Sequence, residues 1–388
     1  MGGSELTPLR LKPPRIQRSG AARPPVIAQR LLVWFASHAR DLPWRRTLDP
    51  YAIWVSEIML QQTQVKTVIP YFERWLLELP DATKLAAAPA NRLHKLWEGL
   101  GYYTRVRNLQ KAAQIVVTQH DARFPTGFDA ILALPGIGRY TAGAVSSIAF
   151  NQPRPIVDGN VVRVLARLFA IHGNPKDKTA AEQFWLRAAT LVEAASRIKL
   201  VPLADGSPLQ LAGNCSALNQ SLMELGATVC TPVNPRCGEC PVRSLCTAHS
   251  TNQVAHFPQL GKRAATIQRR FVAFVVRRAR KVLIRQRPAG VVNAQLWEFP
   301  NVEIDLKEAE PAVAAARALG LKVADMRPLG TVRHSITRYR ITLECFRAEA
   351  AGRVPRAAGS WTPFNQLTGL AFTAAHQKLL KRAGLEPA

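Results

Sequence analysis

Any fold of this chain has to accommodate four closely spaced cysteines. The sequence contains six cysteines, and four of them lie within seventeen residues, as Cys230, Cys237, Cys240 and Cys246. Thiolates at such spacing can hold one iron ion, one zinc ion or a cubane cluster. A zinc ribbon usually pairs two C-x2-C motifs, and this stretch has one, so the sequence predicts a [4Fe–4S] cluster. Four unligated cysteines are the alternative, and the cluster could serve as a structural support or in DNA-linked redox chemistry.

The chain carries a large excess of positive charge. Lys and Arg total 52 and Asp and Glu total 26, a formal net charge of +26, while 47% of the residues are hydrophobic. That hydrophobic content excludes a charge-rich disordered chain. A folded protein with this charge is expected to bind a polyanion, most commonly nucleic acid, and a membrane surface is the competing partner.

Two features of the sequence argue against a membrane or secreted protein. We find no uninterrupted apolar run of about eighteen residues, so no transmembrane helix is expected. The N-terminal segment lacks the apolar core and cleavage site of a secretory signal. These features predict a cytoplasmic, nucleoid-associated protein.

Changes in residue pattern divide the 388-residue chain. At about 150 residues per domain, this length predicts two or three domains. The pattern is helical over 26–250, and a linker is predicted over 251–268. Alternating and continuous apolar runs then predict a separate α+β domain over 269–388. Residues 1–25, rich in proline and basic residues, are predicted to form a disordered basic arm.

A glycine-rich turn, LPGIG at 134–138, joins two predicted helices and indicates a helix-hairpin-helix over about 128–150. Beside Leu134, the glycines Gly136 and Gly138 let the backbone approach a phosphate, and the N–H groups that begin the next helix can donate to it. Such a turn contacts the DNA backbone rather than the bases. A plain turn between helices would look the same, so DNA binding is predicted from the turn and the net charge together.

Two carboxylates are candidates for acid–base chemistry. Asp49 and Pro50 predict the start of a helix that places Glu57 among apolar residues, where burial would raise its pKa and let it act as an acid. Asp158 precedes a glycine and a further helix. Two carboxylates at a sugar–base bond suit glycosidic cleavage. The alternatives are an exposed glutamate on a helix surface and an aspartate that only caps a helix.

Six motifs occur in a fixed order along the chain. They are LPWRR (42–46), SEIMLQQTQV (56–65), GLGYYTRVRNL (99–109), LPGIGRYTAGA (134–144), VDGNVVRVLAR (157–167) and the four cysteines. Together they resemble the MutY family of adenine DNA glycosylases, in the helix-hairpin-helix superfamily with endonuclease III. The resemblance is strong over 40–170 and 218–246, and weaker over 270–388. Residues 196–213 have no counterpart and are interpreted as an inserted loop.

The resemblance implies a fold class and a catalytic set. The fold is multidomain, with an all-α helix-hairpin-helix glycosylase core, an iron–sulfur module and a C-terminal α+β Nudix-like lesion-recognition domain. Glu57 would protonate adenine at N7, and Asp158 would stabilise or trap the cation at C1′. Tyr140 and Asn160 would orient these groups. Because Tyr140 stands where endonuclease III-like enzymes carry a Schiff-base lysine, a monofunctional glycosylase is implied.

The resemblance also implies three sets of binding residues. The adenine pocket would consist of Arg40, Leu42 and Trp44, while Gln220 stands where some relatives carry a pocket glutamate. The side chains inserted into the base stack would be Gln62, Leu100 and Tyr102. The residues that sense 8-oxoguanine would be His334, Thr337 and Arg338, where relatives carry a His-x-Phe-Ser-His motif. A plain strand and turn is the alternative for the last set, and no magnesium-binding Nudix helix is found, so a nucleotide pyrophosphatase is not expected.

These features predict a monofunctional DNA glycosylase of base excision repair. It would flip adenine out of mispairs with 8-oxoguanine or guanine and hydrolyse the N-glycosidic bond. The expected partner is double-stranded DNA containing adenine mispairs, and the protein is expected to be a monomer. The alternatives are a thymine or uracil mismatch glycosylase of the same superfamily and a non-catalytic lesion-binding protein. The presence of Glu57 and Asp158 favours an enzyme.

Overall fold

The computed structural model describes residues 24–199, 209–261 and 264–385. Residues 1–23 of the predicted basic arm, and 200–208 of the predicted insertion, lie outside the described residues. Pro24 and Pro25, predicted as the end of the arm, instead begin the first helix.

The first part of the chain is helical. Its helices are α1 (Pro24–His38), α2 (Pro50–Leu60), α3 (Val65–Glu78), α4 (Ala82–Ala87), α5 (Ala90–Leu96), α6 (Thr104–Gln119), α7 (Phe128–Leu132), α8 (Arg139–Ile148), α9 (Gly159–Phe169), α10 (Lys178–Ser196), α11 (Leu209–Thr228) and α12 (Thr247–Ser250). Helix α2 begins as predicted, because Asp49 accepts a hydrogen bond from the Tyr51 backbone N–H at 3.0 Å. No helix among the described residues is long and apolar enough to cross a membrane.

Two buried apolar clusters fill the helical part. One packs α2 to α8 around the side chains of Trp54, Trp75 and Trp97. The other packs α1 and α9 to α11 around Phe35 and Phe184. Helices α2 and α8 from the first cluster meet α9 and α11 from the second at a cleft.

The remainder of the described chain forms a mixed sheet with two α-helices and short 3-10 helices. The elements are β1 (Ile267–Arg278), β2 (Lys281–Gln286), β3 (Trp297–Glu298), β4 (Asn301–Ile304), α13 (Pro311–Ala318), β5 (Val323–Ile336), β6 (Tyr339–Ala350), β7 (Ser360–Pro363) and α14 (Ala374–Arg382). The order is β3-β2-β1-β6-β5, with β4 also paired to β1 and β7 to β2. Strands β1 and β6 run parallel, and β5 and β6 antiparallel. Successive β1 residues face opposite sides, so Phe274 packs towards α13 and Val275 towards α14.

The sheet domain contacts the helical part directly. Leu296 and Ala371, from loops beside β3 and α14, belong to the same buried cluster as the core of α2 to α8. Arg107 on α6 donates a hydrogen bond to the Ala294 carbonyl at 3.2 Å. The two domains therefore share a packed boundary.

Candidate functional site

A cavity of about 530 Å³ lies between α2, α8, α9 and α11. Its volume lies in the range of pockets that bind small organic molecules. Predicted site residues from distant parts of the sequence line it together: Arg40, Leu42, Trp44, Glu57, Gln62, Tyr140, Asp158 and Asn160. Leu42 and Trp44 are buried and form part of its apolar wall.

Glu57 lies on α2, which is buried from Tyr51 to Met59. The Tyr140 hydroxyl donates a hydrogen bond to Glu57 Oε2 at 2.6 Å, and lies 3.7 Å from Met223 Sδ. Burial is the main reason that the pKa of Glu57 is raised to about 7, and the nearby charge of Asp158 acts in the same direction. The hydrogen bond from Tyr140 opposes this shift. A carboxyl group with this pKa is protonated often enough near neutral pH to act as a general acid.

Asp158 is the N-cap of α9 and also lines the cavity. Its Oδ1 accepts from the Val161 backbone N–H at 2.7 Å, and its Oδ2 accepts from Asn160 Nδ2 at 2.9 Å. Burial raises the pKa of Asp158, and the hydrogen bonds from Val161 and Asn160 oppose that shift. The capping interpretation of this aspartate is therefore confirmed, and the capped carboxylate also lies at the cavity, where the helix N-terminus favours a negative charge.

Arg163, one turn further along α9, supports this arrangement. Its Nη2 donates to Asn160 Oδ1 at 2.8 Å, which turns the Asn160 amide nitrogen towards Asp158. The same guanidinium donates to the carbonyls of Gly226 and Cys230, each at 2.7 Å. Arg163 was not among the site residues predicted from the sequence. Its place three residues after Asn160 in VDGNVVRVLAR was the available signal, because such residues lie on one helix face.

Glu224 on α11 organises the polar wall of the cavity. Arg40 donates to it through Nε at 2.7 Å and Nη2 at 2.9 Å, and Arg45 donates through Nη2 at 2.9 Å. Burial acts to raise the pKa of Glu224, but the bonds from Arg40 and Arg45 lower it overall. Arg45 also donates to Gln220 Oε1 at 3.1 Å. The Arg40 guanidinium is thus held by Glu224, which was not among the site residues predicted from the sequence.

The three residues predicted to enter the base stack differ in exposure. Gln62 and Tyr102 are exposed, and both have left-handed backbones, with φ of 57° and 47°. They border a second cavity of about 220 Å³. Leu100 is 5% exposed and packs in the helical core, so its burial disagrees with the predicted insertion. The Leu100 side chain packs against the helical core instead of projecting from the surface.

Arg105 connects the turns that carry Gln62 and Tyr102. It donates to the carbonyls of Gln61 at 2.7 Å and Leu100 at 2.8 Å. Its guanidinium lies 5.2 Å from the ring of Trp97 and 5.7 Å from that of Tyr102. Burial lowers the pKa of Arg105 to about 10. Arg105 was also not among the site residues predicted from the sequence.

In the helix-hairpin-helix turn at 134–138, the Leu134 side chain is buried while Gly136 and Gly138 are exposed. Leu134 is buried in the core, so its side chain is not available to DNA. Gly136 has φ of 78°, and a Cβ there would lie 2.6 Å from Asn108 Cβ, so the turn requires glycine. Gly138 precedes α8, and a Cβ there would meet no atom of the described residues within 4 Å. The backbone of this turn is therefore the part that can approach a phosphate.

The predicted lesion-sensing residues lie at the end of the β5–β6 hairpin. Thr337 and Arg338 form its exposed turn, and the Thr337 hydroxyl donates to the Ile336 carbonyl at 2.7 Å. His334 lies within β5, half-buried, and its Nδ1 has no hydrogen-bond partner among the described residues. Burial lowers the pKa of His334, and the charge of Lys378 on α14 adds to this effect. The structure thus exposes two of the three side chains.

The four cysteines line one common cavity beside α9. Arg167 Nη1 lies 3.3 Å from Cys230 Sγ, and the Cys246 thiol donates to the Arg167 carbonyl at 3.3 Å. Among the described residues, no group of three or more His, Cys, Asp or Glu is arranged to hold a single metal ion. Four thiols around a shared space, with an arginine against them, fit a negatively charged iron–sulfur cluster held by Cys230, Cys237, Cys240 and Cys246.

Three sequence families match parts of the chain. The helix-hairpin-helix superfamily of base excision DNA repair proteins matches residues 55–189. The iron–sulfur binding domain of endonuclease III matches 230–246, and the NUDIX domain matches 272–382. These matches confirm the predicted fold class and the predicted iron–sulfur cluster.

Individual relatives are similar over most of the chain. Adenine DNA glycosylase of Rattus norvegicus is 33% identical over 412 aligned residues, covering 90% of this chain and 76% of the relative. The protein of that name from Homo sapiens is 34% identical, covering 84% of this chain and 67% of the relative. The one from Buchnera aphidicola subsp. Schizaphis graminum is 33% identical, covering 74% and 77%. Among solved structures, a thermostable thymine-DNA glycosylase is 29% identical with a TM-score of 0.50, covering 59% of this chain and 97% of that one.

Proposed function

Because the chain belongs to the adenine DNA glycosylase family, we propose that it removes adenine mispaired with 8-oxoguanine or guanine. The enzyme class follows from that membership: it is a DNA N-glycosylase of base excision repair, and its cofactor is a [4Fe–4S] cluster. The observation that carries the proposal is one cavity that contains a carboxyl group of raised pKa, Glu57, and a capped carboxylate, Asp158. The alternative function, a thymine mismatch glycosylase, has less support, because the solved thymine-DNA glycosylase covers 59% of this chain and the adenine DNA glycosylase of Rattus norvegicus covers 90%.

The proposed reaction uses the two carboxyl groups in sequence. Glu57 donates its proton to N7 of the flipped adenine, and the electron pair of the C1′–N9 bond leaves with the base. The Asp158 carboxylate stabilises or traps the resulting C1′ cation. Water then adds at C1′, and its proton returns to the Glu57 carboxylate. Asn160 and Tyr140 orient the two groups, while Arg40, Leu42 and Trp44 bound the adenine pocket.

We propose a monofunctional enzyme because no amine stands at position 140. Tyr140 has its hydroxyl bonded to Glu57, where a Schiff-base mechanism needs a lysine. The product would be an abasic site in an intact strand. We further propose that residues 26–250 carry the chemistry and that 269–388 recognise the base opposite adenine. Gln62, Tyr102 and the backbone of the 134–138 turn would contact the DNA, and the four-cysteine loop at 230–246 would hold the cluster.

Two further expectations accompany the proposed function, one about the oligomeric state of the protein and one about its location. It acts as a monomer on double-stranded DNA and is associated with the nucleoid of the cytoplasm. A single 1:1 complex with a mismatched duplex, measured by light scattering, is the expected result, and a 2:1 complex contradicts it.

The rate should depend on pH through Glu57. Since Glu57 must be protonated and its pKa is about 7, the rate of adenine release is expected to fall as pH rises through that value. Since Asp158 must be ionised and its pKa is raised, the rate should also fall at acid pH. Tyr140→Phe removes a hydrogen bond that lowers the pKa of Glu57, so the alkaline limb should move to higher pH.

Single-turnover rates between about pH 5 and pH 9 test this expectation. Tyr51→Phe is the matched control, because its buried hydroxyl also lies on α2 but donates to the Leu79 carbonyl. The control should keep the wild-type midpoint. An unchanged alkaline midpoint in Tyr140→Phe contradicts the assignment of that limb to Glu57.

Recognition of 8-oxoguanine should depend on the turn between β5 and β6, at Thr337 and Arg338. Arg338→Ala is expected to lower the ratio of rates opposite 8-oxoguanine and guanine by about three- to tenfold, the contribution of one hydrogen bond. Thr337→Ala should have a smaller effect, because its hydroxyl already donates to the Ile336 carbonyl. The control is Arg317→Ala, which removes an exposed arginine from α13. This helix packs on the face of the sheet opposite to α14. A ratio unchanged in Arg338→Ala assigns lesion recognition to other residues.

A further inference from the structure

The turn that carries Tyr102 is bound to the C-terminal domain through one buried carboxylate. Glu98, between α5 and α6, accepts a hydrogen bond on Oε1 from the Phe372 backbone N–H at 2.8 Å. Its Oε2 accepts from Lys95 Nζ at 2.7 Å, and the same ammonium group lies 3.3 Å from the Leu370 carbonyl. The Glu98 side chain is 7% exposed. A buried charge-assisted bond of this kind fixes the two segments relative to each other.

The segment from Glu98 to Tyr102 has little freedom to move independently. The Tyr71 hydroxyl donates to the Glu98 carbonyl at 2.7 Å, and a Cβ on Gly99 would lie 2.1 Å from that same hydroxyl. Trp97 Nε1 donates to the Gly101 carbonyl at 3.0 Å. A displacement of Glu98 is therefore transmitted along the turn to the exposed ring of Tyr102.

On the other side, Phe372 is joined to the hairpin that carries the predicted lesion-sensing residues. The residues flanking Phe372 pair with Trp297 of β3: Trp297 N–H donates to the Ala371 carbonyl at 2.9 Å, and Thr373 N–H donates to the Trp297 carbonyl at 3.1 Å. Helix α14 follows directly, and its Arg382 donates to the Thr331 carbonyl on β5 at 3.1 Å. Strand β5 then leads into the 337–338 turn.

We infer that Glu98 is a positioning residue that couples recognition of the opposite base to the placement of Tyr102 in the DNA. The inference rests on the proposed function and adds a specificity determinant to it. Glu98 does not line the 530 Å³ cavity, so it acts through the turn and not on the reacting atoms. With 8-oxoguanine opposite adenine, contacts of the C-terminal domain hold the turn in its productive position. With guanine opposite adenine, those contacts contribute less to the rate of adenine release.

Single-turnover rates on duplexes with adenine opposite 8-oxoguanine and opposite guanine test the inference in the full-length protein. Glu98→Ala should lower the 8-oxoguanine rate by about three- to tenfold and the guanine rate by less than about twofold. Glu98→Gln should recover most of the loss, because its amide oxygen still accepts from the Phe372 N–H. Glu78→Ala on α3 removes an exposed carboxylate paired with Arg92 and should leave both rates unchanged.

A double variant tests whether Glu98 acts through Tyr102. In the Tyr102→Ala background, adding Glu98→Ala should change the ratio of the two rates no further. Equal loss on both duplexes, no loss on either, or a full effect in the Tyr102→Ala background overturns the inference. The proposed function fails separately if the wild-type protein releases adenine from neither duplex, and the inference then fails with it.

Discussion

Replacing Glu57 by glutamine is expected to slow adenine release by about 10³-fold, within the usual range for loss of a general acid. Glutamine preserves the size of the side chain and can still accept from the Tyr140 hydroxyl, but it cannot deliver a proton to N7. Binding to a mismatched duplex should persist, because Glu57 is buried on α2 and lies inside the cavity. The measurement is single-turnover base release together with binding to the same duplex.

A matched control separates this effect from a change in charge. Glu73→Gln removes an exposed carboxylate from the neighbouring helix α3 and should retain the wild-type rate. Base release by Glu57→Gln at a rate close to wild type removes Glu57 from the role of acid. Loss of both binding and release points to a folding defect, which the visible absorbance of the iron–sulfur cluster would report.

Asp158→Asn is the second large expected effect. An asparagine oxygen can still accept from the Val161 N–H, so α9 keeps its N-cap while the cavity loses a negative charge. Removing an electrostatic stabiliser of this kind costs about 10²- to 10³-fold in rate. The expected result is base release slowed by at least about 10²-fold, with DNA binding retained.

The control for Asp158→Asn is another aspartate at a helix start. Asp177 precedes α10, is exposed and makes no side-chain capping bond, so Asp177→Asn should keep the wild-type rate. If Asp158→Asn stays within about tenfold of wild type, a difference of only ~1.4 kcal/mol in the barrier, its role at C1′ is wrong.

The local parts of the site could be predicted from the sequence. A capping aspartate followed by proline at 49–50 indicates the start of α2, and the apolar neighbours of Glu57 indicate its burial. Asp158 precedes a glycine and a helix, which indicates a cap. In each case the information lies within a few residues, as does the spacing of the four cysteines.

The parts of the site that depend on tertiary packing could not be predicted in this way. Tyr140 reaches Glu57 across 83 residues, and Arg40 reaches Glu224 across 184. The bond from Phe372 to Glu98 spans 274 residues, and neither residue belongs to a motif that suggests it. No local pattern specifies such pairs, because they depend on how complete helices pack.

The position of the Leu100 side chain also depends on tertiary packing. The motif GLGYYTRVRNL places it beside Tyr102, and the family resemblance implies that both enter the base stack. The turn directs one side chain outwards and the other into the core, where Leu100 is 5% exposed and Tyr102 is 50% exposed. The left-handed backbones at Gly101 and Tyr102 produce this difference, and residue type alone does not reveal it.

The proposed adenine glycosylase activity is tested by a single-turnover assay on four duplexes, with adenine opposite 8-oxoguanine, guanine, cytosine or thymine. Free adenine and strand breaks are measured in the same samples, with and without alkali. We expect adenine release opposite 8-oxoguanine and guanine, with strand breaks only after alkali. Strand breaks without alkali contradict the monofunctional mechanism, and no adenine release from any duplex contradicts the proposed function itself.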